Sequence, residues 1–442
     1  MRGRSIINLV VVADGNSRWK KVMSPLANWK KAYRMTSQVG KVGLWLIGAK
    51  GGIATCVSLG WAALTRGLCS RGGLVTELPE FATAGLLNWP DLVIGGHEIR
   101  ETSLLEEAEK FAVENRTFDR SLVAELRRDL EAIEARIRYG TLFGADPAIA
   151  RLACSSVPRD ASAEQAIERI RDDLNEFRRQ HQLESVVVVH IASTEPPVDI
   201  QRFPQSWQEL KPLLSQRQDL GLPPSTLYAI AAFQAGCSYI NFTPSLGPAL
   251  PALDELAREQ QVPYMGCDGK TGETLMKSVL APMFRARHLT VLSWVGHNIF
   301  GNLDGKILDE PSHKLSKVKS KDQVVSEVLG YRPQTLVSIE HIEGLGDWKT
   351  AWDHIHFQGF LGVPMVLQFI WQGCDSILAA PLVLDLCRLA ERAHRLGVVG
   401  PMPFLASFFK SPYGVKQADF FKQFQMLLDW ICSLESPDSL VS

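Results

Sequence analysis

Residues 42–54 read VGLWLIGAKGGIA, an apolar run that changes into a glycine-rich turn and then into an apolar helical pattern. The apolar run predicts a buried strand over Val42–Ile47, and the pattern after Ile53 predicts a helix that extends to about Leu64. Glycines at such a turn let the backbone approach a pyrophosphate, which then lies at the positive amino end of the helix. The common G-x-G-x-x-G spacing is absent, so a plain tight turn explains the glycines equally well, and their place after the first strand favours a dinucleotide.

Strands and helices alternate along the next part of the chain. Apolar runs predict further strands at residues 91–94, 185–192, 239–241 and 262–266. Apolar residues at helical spacing predict helices over residues 122–137, over 167–177 behind a Ser162-x-x-Gln165 capping box, and near 225–235 and 253–260. This alternation is typical of a doubly wound parallel α/β sheet.

The pattern changes from about Thr271 onward. A helix over 273–287 is followed by strands at 289–295 and 335–342, with a lysine-rich loop at 314–321 between them, and a helix at 375–394 returns the chain to the first domain. The predicted fold class is therefore α/β, a Rossmann-type doubly wound parallel sheet domain interrupted by an inserted α+β domain. The predicted boundaries are an N-terminal extension over 1–40, the sheet domain over 41–270 plus 376–442, and the inserted domain over 271–375.

Composition and charge restrict the partners of the chain. Its 442 residues are 46% apolar and 21% charged, and 47 Lys+Arg residues nearly balance 48 Asp+Glu residues, for a net charge of -1. Such a chain has no global field that would attract nucleic acid or an anionic membrane, so we expect a small-molecule partner. The 8 cysteines occur singly, and the sequence has neither a run of 18 apolar residues nor a signal peptide. These features predict a cytoplasmic protein.

The segment Cys267-Asp-Gly-Lys-Thr-Gly272 precedes a predicted helix and is a second candidate phosphate site. Thr271 and the backbone N–H groups at the helix start suit an anion, although a solvated turn is the alternative. The segment does not match the P-loop of nucleoside triphosphatases, because Tyr264 occupies the place of the first glycine of that motif.

Asn298, Asn302 and Asp304 cluster after a predicted strand, where α/β enzymes place their sites. A polar turn explains this cluster when it is considered alone. The 10 histidines show no spacing typical of zinc ligands, so no metal site is demanded.

Two groups of lysines are ambiguous by themselves. Lys317, Lys319 and Lys321 suit a solvated charge run as well as a site. Lys410 follows two phenylalanines, so its ammonium is a candidate for partial burial, with a snorkelling surface lysine as the alternative.

Residues 11–19, VVADGNSRW, resemble the diphosphate-binding signature of cis-prenyltransferases. The match ends with these residues, and nothing downstream continues that family. We interpret this resemblance as a coincidence or a fusion remnant.

A longer resemblance rests on a series of stretches in one order. They are GKTGETLMK at 269–277, LAPMF at 280–284, NIFGNLDGK at 298–306, GDWKTA at 346–351, AAPLVLD at 379–385 and FFKSP at 408–412. In these stretches the chain resembles the myo-inositol-phosphate synthases, and their archaeal and bacterial branch more than the eukaryotic one. The resemblance runs from about residue 41 to the C-terminus, and such an ordered series is highly specific.

The resemblance implies roles for individual residues. The implied catalytic lysines are Lys317, Lys321, Lys349 and Lys410. The implied NAD contacts are Gly48, Gly51, Gly52, Thr194, Asp268, Asp304 and Asp375. The implied substrate contacts are Thr271, Gly272, Asn298 and Asn302. Family members differ in whether a divalent metal or a monovalent cation assists, and the sequence assigns no metal ligands.

The implied reaction is the conversion of glucose 6-phosphate into a myo-inositol phosphate by NAD-dependent oxidation at carbon 5, enolisation, intramolecular aldol closure and re-reduction. Ammonium groups in a dry pocket stabilise the oxyanions that develop in these steps. As hypotheses, Lys317 and Lys349 serve the enolate and aldol oxygens, Lys410 the proton of the carbon 5 hydroxyl, and Lys321 the phosphate and carbonyl.

The resemblance also implies a homotetramer in which the inserted domain carries catalysis and oligomerisation. Two alternatives stay open: a paralogous NAD-dependent cyclase that makes another cyclitol phosphate, and a non-catalytic NAD-binding regulatory protein. A plain dehydrogenase would differ from all of these by releasing NADH. Whether the product feeds inositol lipids, thiol cofactors or compatible solutes also stays open.

Overall fold

The computed structural model describes residues 40–216, 220–302 and 325–434. Residues 1–39 of the predicted extension, with the segment 11–19, and the lysine-rich loop at 314–321 lie outside the described residues. No helix in the described part of the chain is long and apolar enough to cross a membrane.

Strands and helices alternate over residues 42–286 as the sequence predicts, and the structure adds strands that the sequence did not predict at 137–139, 348–358, 364–374 and 400–401. The strands are β1 (Val42–Ile47), β2 (Leu92–Glu98), β3 (Ile137–Tyr139), β4 (Ser185–His190), β5 (Ser238–Asn241), β6 (Pro263–Gly266), β7 (Thr290–Phe300), β8 (Gln334–His341), β9 (Trp348–Gln358), β10 (Pro364–Cys374) and β11 (Gly400–Pro401). The α-helices are α1 (Gly52–Arg66), α2 (Leu104–Lys110), α3 (Arg120–Glu125), α4 (Arg127–Glu134), α5 (Pro147–Ala150), α6 (Ala163–His181), α7 (Trp207–Leu210), α8 (Pro224–Gln234), α9 (Pro251–Glu259), α10 (Gly272–Ala286), α11 (Asp375–Arg395) and α12 (Phe420–Ser433). A further short helical segment covers residues 325–329.

The first sheet is parallel and has the order β11-β6-β5-β4-β1-β2-β3. Strands β2 and β3 lie on one side of β1, and β4, β5, β6 and β11 lie on the other. The strand order therefore reverses at the boundary between β1 and β4, which is the topological switch point of a doubly wound sheet. All six residues of β1 are buried, as are the valines of β4, because helices cover both faces of a parallel sheet. The prediction of a Rossmann-type doubly wound sheet is confirmed.

The second sheet is mixed and has the order β10-β9-β7-β8. Strands β7 and β8 are parallel, and the other neighbours are antiparallel. One face packs against α10 and the segment 325–329, where Phe284, Trp294 and Ile355 are buried in a common core. The opposite face leaves several large apolar side chains exposed.

Helix ends follow local signals. The Ser162 hydroxyl accepts a hydrogen bond from the backbone N–H of Gln165 and caps α6, as the capping box predicts. Helix α1 ends where Gly67 takes the left-handed conformation, with a φ of 69°, which a glycine adopts without steric cost.

Two predictions of local structure need correction. The helix predicted over residues 122–137 is interrupted at Leu126, whose φ and ψ of -93° and 5° separate α3 from α4. Ile137 instead belongs to β3, because it pairs with Gly96 at the edge of the parallel sheet. Strand β7 extends to Phe300 rather than ending near Val295, since β8 and β9 pair with it along that length. Asn298 therefore lies inside a strand, not after one.

Candidate functional site

A cleft of about 420 Å³ opens at the carboxyl ends of the parallel strands and reaches the second sheet. This volume lies within the range of small-molecule sites, and such crevices are where doubly wound folds bind ligands. The predicted site residues that line it are Gly48, Gly51, Gly52, Thr194, Asp268, Thr271, Asn302, Lys349, Asp375 and Lys410. The fold thus brings together residues from both predicted domains.

The glycine turn after β1 fits the backbone of a dinucleotide. Gly48 has a φ of 87°, and a Cβ there would lie 2.8 Å from the Cα of Ala192. A Cβ on Gly52 would lie 2.6 Å from the hydroxyl of Ser376. Side chains are therefore excluded at the start of α1, whose amino end faces the cleft without any acidic residue in its first turn. This cradle suits a pyrophosphate.

Glu98 ends β2 and lines the same cleft, where dinucleotide-binding folds place a carboxylate for the ribose. Its carboxylate accepts hydrogen bonds from the backbone N–H groups of Lys50, Ile99 and Arg100, at 2.9, 2.9 and 3.1 Å. The guanidinium of Arg100 adds a contact at 3.2 Å. The sequence patterns assign Glu98 no role, although its place at the end of the second strand is a usable signal.

Lys410 and Asp268 form a buried ion pair in the wall of the cleft. The ammonium of Lys410 lies 2.8 Å from Oδ1 of Asp268, and their side chains are 9% and 6% exposed. Two segments hold the pair, because the backbone N–H of Lys410 donates to the carbonyl of Asp268 and that of Cys267 donates to Ser411. Gly269 also bridges to Phe409. We call these paired segments, residues 266–270 and 408–413, the ribbon.

Lys349, Thr271 and Asp375 meet on another side of the cleft. The ammonium of Lys349 lies 3.8 Å from Oδ2 of Asp375 and 5.1 Å from the ring centroid of Phe300. The Thr271 hydroxyl donates to Oδ1 of Asp375 at 3.3 Å. Thr271 is also the residue before α10, so it places backbone N–H groups and a hydroxyl beside a lysine. This combination suits a phosphate or an oxyanion.

Asp347 lines the cleft, links the second sheet to the start of α11, and is a residue that the sequence patterns miss. Its carboxylate accepts from the backbone N–H and the hydroxyl of Ser376 at 2.7 and 2.8 Å, and from Asn302 at 3.0 Å. The thiol of Cys374 donates to it at 2.8 Å. Burial raises the pKa of Asp347 above its usual range. Asp347 lies between Gly346 and Trp348 in the GDWKTA stretch. Its neighbours in sequence do not indicate this role, because its hydrogen-bond partners are distant in sequence.

Two predicted substrate residues do not line the cleft. Asn298 is fully buried, and its amide donates to Oε2 of Glu273 at 2.7 Å and to the carbonyl of Ser338 at 3.3 Å. Gly272, the first residue of α10, lies one position beyond the lining residue Thr271. Their direct contact with substrate stays a prediction. Asp304, Lys317 and Lys321 lie outside the described residues.

Within residues 40–216, 220–302 and 325–434, no group of three or more His, Cys, Asp or Glu side chains is arranged to hold a metal ion. The assisting cation stays open.

Comparison with known proteins gives a consistent result. A family model described as "Myo-inositol-1-phosphate synthase" matches residues 42–432. The "Inositol-3-phosphate synthase 1" of Bacteroides thetaiotaomicron is 31% identical over 394 residues, which cover 84% of this chain and 90% of that protein. The human "Inositol-3-phosphate synthase 1" is 30% identical over 402 residues, with 82% and 70% covered.

Solved structures share the fold. The crystal structure of an inositol-3-phosphate synthase from Caenorhabditis elegans matches with a TM-score of 0.78 and 25% identity, covering 90% of this chain and 86% of that one. A myo-inositol-1-phosphate synthase-related protein from Thermotoga maritima matches with a TM-score of 0.72, 21% identity, and coverage of 89% and 98%. At that identity the second likeness concerns the fold alone.

Proposed function

The chain belongs to the myo-inositol-1-phosphate synthase family, and from that premise we propose that it is an inositol-3-phosphate synthase. In this proposal it is an isomerase that closes glucose 6-phosphate into 1D-myo-inositol 3-phosphate with NAD as a retained cofactor. The observation that carries the proposal is one cleft that joins the glycine turn of the parallel sheet to Lys349 and Lys410. A dinucleotide cradle and buried ammonium groups are the two elements that this reaction needs.

NAD supplies the hydride chemistry at carbon 5 when it is bound. The residues proposed to hold it are Gly48, Gly51, Gly52, Thr194, Asp268, Asp304 and Asp375. The fit of the glycine turn supports this assignment, because a Cβ at Gly48 or Gly52 would fill the space beside the helix start.

The protein's own groups then move protons and stabilise oxyanions. We assign to Lys410 the proton of the carbon 5 hydroxyl, which its side chain accepts in the neutral amine form, and Asp268 fixes the position of that side chain. Lys349 and Lys317 are assigned to the enolate and aldol oxygens, and Lys321 to the phosphate and carbonyl. Thr271 and Gly272 receive the substrate phosphate at the amino end of α10, and Asn298 and Asn302 contribute to the sugar site.

We further propose a homotetramer built on the exposed face of the second sheet. On β10 the side chains alternate, so that Leu367 and Phe369 pack inward while Val366 and Ile370 are 51% and 71% exposed. Trp352 and Leu336 extend this apolar face across the sheet. Exposed apolar patches of this kind mark protein interfaces, and a second copy of the chain is the occupant we propose.

Domain boundaries and location belong to the same proposal. The parallel sheet uses strands up to Gly266 and again from Gly400, and the mixed sheet uses strands from Thr290 to Cys374. This arrangement supports an inserted domain over 271–375 within a domain over 41–270 plus 376–442, after an N-terminal extension over 1–40. All the cysteines are free thiols, which supports a reducing compartment such as the cytoplasm.

The test is incubation of the purified protein with glucose 6-phosphate and catalytic NAD. Inositol phosphate is followed by mass-resolved chromatography and by phosphate release after periodate oxidation. Product without net NADH supports the synthase. A different cyclitol phosphate would indicate the paralogous cyclase, NAD binding without turnover the regulatory protein, and accumulating NADH a plain dehydrogenase.

A further inference from the structure

Lys270 carries an ammonium group that the reaction described above does not use. Its side chain lies in a site where the residue is only 4% exposed. The ammonium donates a hydrogen bond to the side-chain oxygen of Gln423 on α12 and lies 5.8 Å from the ring centroid of Phe420. Among the described residues no carboxylate forms an ion pair with it.

This arrangement is unfavourable for folding. Removing an ammonium from water is costly, and one hydrogen bond to a neutral amide with one distant ring compensates only part of that cost. A methionine of similar length would fill the same space without a charge to desolvate. A buried ammonium without an ion partner, between Gly269 and Thr271 that line the cleft, is a candidate functional group.

The position of Lys270 connects it to the ion pair of the cleft. It lies on the ribbon, where its backbone N–H donates to the carbonyl of Phe408 at 2.8 Å. Asp268 and Lys410 lie on the same ribbon, on opposite segments. Burial, followed by repulsion from the Lys410 ammonium, lowers the pKa of Lys270 to about 7. Lys270 thus lies two positions along the ribbon from Asp268, the residue that pairs with Lys410.

Helix α12 holds this arrangement from outside. Its Trp430 stacks on Phe404 with the ring centroids 4.0 Å apart and the rings inclined by 7°. Phe404 precedes the ribbon segment that carries Lys410, and Gln423 bonds the Lys270 ammonium on the other segment. The helix therefore contacts one segment of the ribbon directly and the residues that lead into the other.

We propose that Lys270 is a positioning residue that acts through the Asp268–Lys410 pair, and that Gln423 holds its ammonium behind that pair. The inference rests on the proposed function, because it concerns the electrostatic potential of the proposed active site. With Lys270 charged, two ammonium groups accompany one carboxylate, and the surplus positive charge favours an anionic sugar phosphate and the oxyanions formed from it. With Lys270 neutral, the pair is balanced and this advantage is lost.

The pH dependence follows from the groups that face Lys270. The charged group that acts on it is the Lys410 ammonium, and its neighbours on α12, Gln423 and Phe420, are uncharged. Lys270 is charged below a pH of about 7 and neutral above it. The kcat/KM of the wild-type enzyme for glucose 6-phosphate should therefore fall as the pH rises through this value.

The decisive variant is Lys270→Met in the full chain, with Lys422→Met on the exposed side of α12 as the matched control. We expect Lys270→Met to lower kcat/KM by about tenfold at a pH near 6, less than the loss of a donor that touches an oxyanion directly. In a plot of kcat/KM against pH, we expect the variant to lack the fall near pH 7, which is called the limb below. Above that pH its kcat/KM should equal that of the wild type. Its Tm should equal or exceed that of the wild type, whereas a merely structural role would lower Tm and leave the limb in place.

A second variant tests the contact with α12. Gln423→Leu removes the acceptor, and Gln425→Leu makes the same change on the exposed surface of that helix. Gln423→Leu should move the limb to lower pH because the ammonium loses its acceptor, and Gln425→Leu should not move it. An unchanged limb in both Lys270→Met and Gln423→Leu would overturn the inference.

Failure of the proposed function is recognised separately. If wild-type protein makes no inositol phosphate, the proposed function is rejected. The affinities of wild type and Lys270→Met for inorganic phosphate at pH near 6 and near 8 then decide the inference, which requires weaker binding by the variant at the lower pH. Equal affinities of the two proteins at both pH values would reject it.

Discussion

The Nζ of Lys410 lies 2.8 Å from Oδ1 of Asp268, and more than a hundred residues of chain separate the two side chains. Both side chains are nearly removed from solvent, so each charge depends on the other. This relationship determines what happens when either residue is replaced.

We expect Lys410→Met to abolish cyclisation, with kcat reduced by about 10³-fold or more, because the variant lacks the group assigned to the carbon 5 hydroxyl. It should also lower the free energy of unfolding by about 3–5 kcal/mol, since it leaves the Asp268 carboxylate buried without its cation. Product formation and urea denaturation measure the two effects.

The double variant Lys410→Met with Asp268→Asn separates these effects. It should recover stability without recovering activity, because neither member of the pair is left charged without its partner. Lys416→Met, an exposed change on the same segment, should leave both quantities near wild type. Activity that returns with stability would show that Lys410 serves the fold alone.

Gly48→Ala should weaken both the fold and NAD binding. The φ of 87° is strained for alanine, and the new Cβ would lie 2.8 Å from the Cα of Ala192. We expect the free energy of unfolding to fall by roughly 1–3 kcal/mol, with a higher dissociation constant for NAD in a fluorescence titration.

Gly60→Ala is the matched control for this change. Gly60 lies within α1, and a Cβ there would have no neighbour within 4 Å. Alanine should stabilise the helix by about 0.5–1 kcal/mol and leave NAD binding unchanged. Equal behaviour of the two variants would refute the requirement for a glycine at residue 48.

Asp347→Asn should loosen the junction between the second sheet and the start of α11. The Ser376 N–H donates to Oδ2 of Asp347 and the Asn302 amide donates to Oδ1. An asparagine keeps one acceptor oxygen, but its NH₂ group faces one of these donors and cannot accept from it. We expect a loss of about 1–3 kcal/mol in the free energy of unfolding, and a higher KM for NAD because the start of α11 shifts.

Hydrogen exchange provides the direct test of this prediction. Protection of the amide of Ser376 should fall in Asp347→Asn, while protection in β4, which does not contact Asp347, should change only with global stability. Unchanged protection at Ser376 together with unchanged KM would contradict the connecting role.

Glu195 should make stability depend on pH. Burial raises the pKa of Glu195 to about 7, against hydrogen bonds from Ser225 that act in the opposite direction. The ordinary pKa of a glutamate is 4.5. Between this pH and about 7, the folded state keeps the proton on Glu195 while the unfolded state has lost it. The corresponding stabilisation is complete below a pH of about 4.5 and is lost as the pH rises through about 7.

We therefore expect the free energy of unfolding of the wild type to fall by up to about 3 kcal/mol relative to Glu195→Gln over this range. Urea denaturation at several pH values measures the difference. Glu168→Gln, an exposed change on α6, should keep the wild-type slope. Parallel curves for the wild type and Glu195→Gln would exclude this contribution.

Ile370→Lys should reduce the oligomeric mass. Ile370 is 71% exposed on the apolar face of the second sheet, where a lysine would place a charge in the proposed interface. Sedimentation should show smaller species, and Ile200→Lys, which changes a 38% exposed residue outside that sheet, should sediment as the wild type does. An unchanged mass for Ile370→Lys would exclude this face.

Most of the fold was predictable because its signals are local. The alternation of apolar segments, the glycine turn after Ile47 and the Ser162 cap each depend on neighbours within a few positions. The exceptions follow pairing between distant segments. Ile137 has helical spacing, yet it joins β3 because the edge of the sheet offers it a partner at Gly96.

The candidate site was predictable in part. Most of the described residues that the family resemblance identifies line one cleft. Asn298 does not line it, because its side chain is buried and hydrogen-bonded to Glu273. The roles of these residues, and of Lys317 and Lys321, remain predictions. Glu98 could have been found from its place at the end of the second strand, whereas the stretches that contain Asp347 and Lys270 do not show what those two side chains contact.

The sequence by itself determined the order of strands, the dinucleotide turn and the family, because periodicity, glycine placement and motif order are properties of short segments. Only the tertiary structure decided which charges are buried and which meet. The ammonium of Lys410 meets Asp268 and that of Lys270 meets Gln423. Burial and ion pairing arise when segments that are far apart in the chain pack around the same side chain and remove it from water. The spacing of residues along the sequence does not show which segments will do so.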